Sequence, residues 1–149
     1  MIRKRTQSRE CALQILYQYE MNPEPLPELF KKFWEQQEGS FDPEVRDFAE
    51  KLASGTCEHQ KDIDPVIERY ADNWDLPRMA MIDRNVMRLA TYELLYLADV
   101  PPKVTINEAV NLAKKFSQEE SGKFVNGILD KINHTEKQRN PKPDDPPAA

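Results

Sequence analysis

Two short clusters contain residue types suited to binding a single-stranded nucleic acid. The first lies within residues 1–9, which hold four cations and no acid: Arg3, Lys4, Arg5 and Arg9. The second is the segment SGKFVNG at residues 121–127, which contains Lys123, Phe124 and Asn126. Cations neutralise phosphates without reading sequence, and an exposed aromatic ring can stack on an unpaired base. Each cluster is therefore a candidate contact for a polyanion.

The distribution of charge is more informative than the net charge. The chain of 149 residues has a net charge of −5, and the four cations of the arm leave −9 on the other 140 residues. An acidic protein with a basic end can hold a polyanion if its acids face elsewhere. A solvated N-terminal tail would explain the same charges, and helical periodicity would let Phe124 join Ile128 in the core. From the residues alone, both alternatives stay open.

The sequence offers little for catalysis or for a metal ion. Its four glycines are scattered and form no glycine-rich phosphate loop. Cys57 and His59 make the one metal-like pair, but a zinc site needs about four ligands. We therefore interpret Cys57 as a core residue and His59 as a surface residue. No two carboxylates stand in an apolar setting that would separate their pKa values, so we predict a binding protein without cofactor or metal rather than an enzyme.

Periodic apolar residues predict seven helices that would position these clusters. The first two span residues 7–21 and 26–37, the third begins at Pro43 and continues past Gly55, and the fourth spans residues 66–73. The pairs Asp42–Pro43 and Asp64–Pro65 each combine a capping residue with a proline, which is typical of a helix start. Thr105 and Glu108 predict a capping box at the head of the sixth helix, and the seventh begins near Ser121.

The segment AMIDRNVMRLATYELLYLA at residues 80–98 predicts the central element of the fold. It is apolar on most sides, so neighbouring helices must cover it, and only a narrow polar strip could reach the surface. The fold class is therefore all-α, a single-domain bundle of about seven helices around a buried central helix. This domain would span residues 1–133. Residues 134–149 are rich in proline and lack large apolar side chains, which predicts a disordered tail.

Targeting signals are not evident in the sequence. The longest apolar run, at residues 94–98, is far shorter than the ~18 residues of a membrane span. No hydrophobic segment follows the opening MIRKR, and the two cysteines form no CxxC pair. We expect a cytoplasmic protein with no membrane partner.

Three segments resemble the NusB family of bacterial transcription antitermination factors. They are RECALQILYQYE, DRNVMRLATYELLYLADVPPKVTINEAVNLAKKF and SGKFVNGILDKI. The resemblance covers roughly residues 8–133 in the family's order and spacing. The combination of a YEL helix, a proline turn, INEAV and KFVNG is highly specific, and it implies the seven-helix NusB fold.

The resemblance also implies a function. NusB proteins bind the single-stranded boxA element of ribosomal RNA transcripts together with NusE, a small-subunit ribosomal protein, and the complex joins RNA polymerase to suppress termination. The RNA contacts of the family correspond to Arg5, Arg9, Lys123 and Phe124, which would then lie on one face, and we add Arg3, Lys4 and Asn126 as neighbours. NusE would pack around the central helix at Asp83, and we expect Arg84 and Glu93 of the same polar strip to contribute.

One departure from the family pattern and several alternatives accompany this interpretation. Many relatives have a tight arginine run before the first helix, whereas Thr6, Gln7 and Ser8 interrupt it here. We therefore expect weaker RNA affinity without the partner. The alternatives are a substrate-recognition domain like that of some ribosomal RNA methyltransferases, without the enzyme itself, and a helical scaffold that binds only protein. Self-association through the NusE face also stays open.

Overall fold

The computed structural model describes residues 3–72, 75–136, 138 and 139. In this part of the chain every regular element is a helix, and there is no strand. The helices are α1 (Lys4–Met21), α2 (Leu26–Gln36), α3 (Pro43–Glu58), α4 (Gln60–Tyr70), α5 (Met81–Tyr96), α6 (Pro102–Phe116) and α7 (Glu119–Thr135), with a 3₁₀ turn at Leu76–Arg78. The all-α prediction with seven helices is confirmed. The ends of α1, α2 and α5 fall within three residues of the predicted ends.

The centre of the molecule is α5. Every residue from Arg84 to Leu95 is buried, and α1, α3, α4, α6 and α7 all pack around this helix. Val86, Met87 and Leu89 have almost no exposed surface. The prediction of a buried central helix is therefore confirmed, and its polar strip is buried along with the apolar residues except at the half-buried Asp83.

The start of α4 differs from the prediction. The helix begins at Gln60, directly after His59, and Pro65 lies inside it. The longer helix places Ile63 in the core with no exposed surface, and this burial accounts for the tolerated proline. Asp64 therefore does not cap a helix; its carboxylate accepts two hydrogen bonds from Arg88 on α5, at 2.8 and 3.0 Å.

The start of α6 also differs. Pro102 occupies the first turn, so Thr105 lies one turn too late to cap the helix. The Thr105 hydroxyl instead donates to the buried carboxylate of Glu93 at 3.1 Å, and Glu108 accepts from the Thr6 hydroxyl at 2.7 Å. Both residues of the predicted capping box thus connect different helices rather than ending one.

The last helix extends beyond the predicted domain boundary at residue 133. It runs to Thr135, and the residues after it pack on the molecule. The Gln138 side chain donates to the Leu94 carbonyl at 2.7 Å, and the Arg139 backbone N–H donates to the Leu95 carbonyl at 2.6 Å. These donors satisfy carbonyls that the end of α5 leaves without helical partners. The rest of the predicted tail, residues 140–149, lies outside the described residues.

None of the helices in the described ranges has the length and apolar character required to cross a membrane.

Candidate nucleic-acid interface

The basic arm is the first turn of α1 and the residue before it. Arg3 is the N-cap residue and forms no side-chain cap, and Arg3, Lys4 and Arg5 are all exposed. Lys4 is already paired, with its ammonium 3.1 Å from Asp42 and 3.4 Å from Glu44 on α3. The hydrogen bond and charge of Asp42 raise the pKa of Lys4. Of the three exposed cations, Arg3 and Arg5 form no ion pair with any described residue.

Arg9 lies in a different environment from the rest of the arm. It is 2% exposed, and its guanidinium donates to both carboxylate oxygens of Glu93 at 2.9 and 2.7 Å. Burial by itself would lower the pKa of Arg9, but the hydrogen bonds and charge of Glu93 outweigh burial and raise it. This placement argues against direct contact between Arg9 and RNA, because its donors face the interior. Glu93 is 2% exposed, so it too cannot reach a partner as expected.

A groove beside the arm, here called the arm groove, holds about 340 Å³ and includes Arg3, Arg5, Pro101, Val104 and Glu108. Val104 is 43% exposed, an unusual position for a valine next to two guanidinium groups. The Arg5 guanidinium lies 3.8 Å from the centre of the Phe48 ring, a cation–π contact that fixes its position. Val104 was not among the residues predicted from the sequence, although it lies in the family-like segment that runs from α5 into α6. Its exposure could not be predicted, because it lies in the first turn of a helix just after two prolines.

The second cluster lies on α7, one turn later than predicted. Because α7 begins at Glu119, the Ser121 N–H already donates to the Gln118 carbonyl at 3.0 Å, and Lys123 and Phe124 follow in the second turn. Glu119 and Glu120 occupy the first turn, where carboxylates favour the positive end of the helix dipole. The expected phosphate site on the helix start is therefore wrong. Lys123 and Asn126 are exposed and remain available to a ligand.

Phe124 is half-buried at the edge of the core and lines an open pocket of about 330 Å³, here called the Phe124 pocket. The other lining residues are Met79, Ala80, Asp83, Gln118, Glu120 and Ser121. One oxygen of Asp83 accepts a hydrogen bond from the Ser121 hydroxyl at 3.1 Å. The other oxygen is buried and has no hydrogen-bond partner among the described residues. A buried carboxylate oxygen without a donor is costly, and Asp83 is less completely bonded than Glu93, the buried acid of α5.

Between these two sites lies an apolar groove of about 320 Å³, here called the middle groove, which no sequence motif indicated. It is lined by Leu13, Gln14, Tyr17, Gln18, Ile82 and Phe116. Tyr17 is 42% exposed on α1, and one turn further Met21 is 61% exposed. An exposed tyrosine and methionine on one side of a helix are typical of protein interfaces. Helical periodicity could have shown that these residues point away from the core face of α1.

Arg84 does not face a partner as expected. It is buried, and its guanidinium donates to Glu20 at 2.9 Å and to the backbone carbonyls of Leu76 and Met79 at 3.1 and 2.9 Å. These bonds hold the loop that precedes α5 and carries Met79 into the Phe124 pocket. Of the three predicted partner residues, Asp83 alone lies at the surface.

The arm groove and the Phe124 pocket are connected to opposite ends of α5. Arg9 bonds to Glu93, and Ser121 bonds to Asp83, ten residues away, which corresponds to about 15 Å along the helix. The middle groove lies between them, and the Glu10–Lys115 ion pair at 2.9 Å also joins α1 to α6 there. The clusters thus lie at the two ends of a continuous surface on α1, α5, α6 and α7, called the α1–α7 face below, rather than side by side.

Comparison with known proteins identifies the family. The NusB family model matches residues 6–134. The chain belongs to the NusB family. Among its relatives, the NusB transcription antitermination protein of Thermodesulfovibrio yellowstonii is 46% identical over 137 residues, covering 87% of this chain and 91% of the relative. That of Anaeromyxobacter dehalogenans strain 2CP-1 is 49% identical, covering 89% of this chain and 92% of the relative.

Solved NusB structures share the same arrangement of helices. Thermotoga maritima NusB is 39% identical and superposes with a TM-score of 0.80, covering 91% of this chain and 94% of that chain. A structure of the antitermination factors NusB and NusE in complex with double-stranded RNA matches at 32% identity and a TM-score of 0.80, covering 90% of this chain and 98% of that chain. The sequence-based family assignment is therefore confirmed.

The described residues contain no group of three or more potential metal ligands. Cys57 packs against the core, and burial raises the pKa of its thiol to about 11. A protonated thiol is a poor metal ligand. His59 is half-buried and stacks on Tyr96 with ring centres 3.9 Å apart, rather than lying freely on the surface as predicted.

Proposed function

We propose that this chain is a transcription antitermination factor that binds single-stranded boxA RNA of ribosomal RNA transcripts together with NusE and joins RNA polymerase to suppress termination. Membership of the NusB family supports the overall role. The observation that carries the RNA-binding part is the α1–α7 face, which combines unpaired cations at both ends with an aromatic ring at one. We expect the factor to act in the cytoplasm by binding, without catalysis of its own.

Phosphate recognition would come from three exposed cations. Arg3, Arg5 and Lys123 form no ion pair with a described residue, whereas Lys4 and Arg9 are neutralised by acids. Single-strand affinity changes with salt by about −0.7 in logarithmic slope for each phosphate neutralised. Three contacts therefore correspond to a slope of about −2. This weak electrostatic term supports the expectation that RNA affinity depends on the partner.

Base recognition would occur at the Phe124 pocket. An unpaired base could use the accessible part of Phe124 for stacking, and the exposed Asn126 amide on the same helix offers hydrogen bonds to a base edge. Asp83 and Glu93, which join the two sites to α5, lie about 15 Å apart along the helix. A stacked strand with a rise of about 3.4 Å per nucleotide would need about five nucleotides to span this distance. A short recognition element would therefore be read at one end and held by charge at the other.

NusE would occupy the middle groove and its surroundings. Tyr17, Ile82 and Phe116 offer an apolar centre, and Asp83, which follows Ile82 and lines the neighbouring Phe124 pocket, offers the negative charge that suits a basic ribosomal protein. The same surface would bring the partner next to the RNA. Self-association of the chain through this groove would compete with NusE.

The experiment is a titration of fluorescently labelled boxA RNA, read by anisotropy, with and without NusE and at several salt concentrations. We expect tighter binding with NusE, a slope near −2 for the chain alone and weaker binding of a scrambled RNA. Binding of NusE without any RNA binding would instead support the protein-only scaffold. Equal affinity for boxA and scrambled RNA in the presence of NusE would contradict the proposed base recognition.

A further inference from the structure

The first turn of α1 is a poor helix start by local criteria. It has no side-chain cap and no acid, and three cations lie beside the positive end of the helix dipole. Local interactions therefore disfavour the turn that carries Arg5. Contacts with other helices must supply what the sequence of the turn lacks.

Those contacts converge on one buried network. Arg9 binds Glu93 through two hydrogen bonds, and Glu93 also accepts from Thr105, so the network joins α1, α5 and α6. Glu108 on α6 lies 3.6 Å from Arg9 and accepts the hydroxyl of Thr6, the residue after Arg5. The network thus continues from the interior to the turn that faces the arm groove.

Phe48 on α3 provides a second connection between Arg5 and Arg9. Its ring lies 3.8 Å from the Arg5 guanidinium and 5.8 Å from that of Arg9. Arg5 is therefore held between an aromatic ring of α3 and a turn that is bound to α6. Arg9 is close to both supports, because its guanidinium lies 3.6 Å from Glu108 and 5.8 Å from the centre of the Phe48 ring.

On these contacts we infer that Arg9 is a positioning residue for RNA binding: through Glu93 and Glu108 it holds the first turn of α1 so that Arg5 and Arg3 face the arm groove, and it does not itself touch a phosphate. This inference rests on the proposed RNA-binding function. It assigns the buried arginine a role different from that of the exposed ones.

The test is the variant Glu93→Gln, which leaves the charge of Arg9 in place but removes the carboxylate that holds it. If Arg9 contacted RNA directly, releasing it would leave boxA affinity unchanged or raise it. If Arg9 positions the arm, affinity should fall about 3- to 10-fold. The fall should be clearly smaller in an Arg5→Gln/Glu93→Gln double variant relative to Arg5→Gln alone, because only the part of the effect that passes through Arg3 remains.

The matched control is Asp64→Asn. Asp64 of α4 and Arg88 of α5 form the same two-bonded arginine–carboxylate pair, and Arg88 reaches α1 at Glu20, near the end of the helix opposite the arm. Glu93→Gln and Asp64→Asn should both lower the melting temperature, and only Glu93→Gln should lower RNA affinity. Hydrogen exchange should also accelerate at residues 4–9 in Glu93→Gln and not in Asp64→Asn.

The outcomes separate this inference from the proposed function. If the unaltered chain binds boxA RNA and Glu93→Gln binds it equally well, the positioning role is overturned while the proposed function stands. An equal loss of affinity in Asp64→Asn, or additive effects of Arg5→Gln and Glu93→Gln, would overturn it as well. If the unaltered chain with NusE binds no RNA, the proposed function fails and this inference fails with it.

Discussion

The arm groove and the Phe124 pocket are the two ends of one surface, and they differ in how completely the carboxylate of α5 at each end is hydrogen-bonded. At the arm end, the buried carboxylate of Glu93 is fully used by Arg9 and Thr105. At the Phe124 end, one oxygen of Asp83 is buried and has no partner among the described residues. The first end is complete without a ligand and presents cations on its outside. The second end leaves one buried carboxylate oxygen unsatisfied and presents an aromatic ring on its outside.

This difference indicates a division of labour. A satisfied network gives rigidity, so the arm end can hold its guanidinium groups in place before RNA arrives. The Phe124 end instead presents a half-buried aromatic ring in an open pocket, which can select an unpaired base by stacking. Affinity without sequence preference would come from the arm end, and discrimination from the Phe124 end.

The largest expected effect tests the completeness of the arm end. Arg9→Leu leaves the buried Glu93 carboxylate without its cation and should lower the free energy of unfolding by about 3–5 kcal/mol, measured by urea denaturation. Arg9→Leu/Glu93→Leu removes both charges and should recover most of this loss. A double variant as unstable as the single one would show that packing, rather than charge, makes this end depend on Arg9.

The next effect tests selectivity at the other end. Phe124→Ala should weaken boxA binding by about 1–3 kcal/mol, the value of stacking on one base, and should leave the salt slope unchanged. Lys123→Gln is the matched control on the adjacent residue, and it should reduce the salt slope while preserving the preference for boxA over scrambled RNA. If Phe124→Ala retains full discrimination, base recognition does not occur in this pocket.

A smaller effect tests the outer charges of the arm. Arg5→Gln should reduce the magnitude of the salt slope by about 0.7. It should weaken the binding of all single-stranded RNAs equally, since a phosphate contact reads no sequence. Anisotropy titrations of boxA and scrambled RNA across a salt series measure both quantities. A loss confined to boxA would mean that the arm, too, reads sequence, and the division between the two ends would disappear.

The smallest effect is a pH dependence confined to the arm end. The backbone N–H of Glu44 and the ammonium of Lys4 lower the pKa of Asp42 below its ordinary value of 3.8. Asp42 therefore adds stability above that value, and the contribution is lost as pH falls through the lowered pKa. Melting temperatures of the wild type and Asp42→Asn should converge in acid. If the two melting temperatures differ by the same amount down to the lowest pH at which the protein folds, Asp42 does not make this pH-dependent contribution to stability.

Sequence patterns predicted the fold well because the apolar residues of each helix recur locally. Cys11, Ala12, Ile15 and Leu16 recur at spacings of three and four along α1 and are all buried, and the same local signal located α5. The start of α4 was missed for a comparable reason: Asp64–Pro65 has the local form of a cap, but Asp64 is used by Arg88, which lies 24 residues away in the sequence. A tertiary partner outweighed the local signal.

The candidate site was harder to predict because burial of a charge has no local signature. Arg9 resembles Arg5 in sequence, four residues apart and in the same basic arm, yet its partner Glu93 lies 84 residues further along the chain. Phe124 was correctly placed near a helix start but one turn too early, because the acids at 119 and 120 were not recognised as the first turn. The identity of the residues could be predicted, while their accessibility required the packing of the helices.

The two residues that cover the end of α5 have a practical consequence for expression. Gln138 and Arg139 lie beyond the last helix and donate to the carbonyls of Leu94 and Leu95. A clone trimmed to the helical domain at residue 135 would expose these carbonyls to water and fray the innermost helix at one end. Shortened versions for crystallisation, and cleavage sites for affinity tags, should therefore be placed after Arg139.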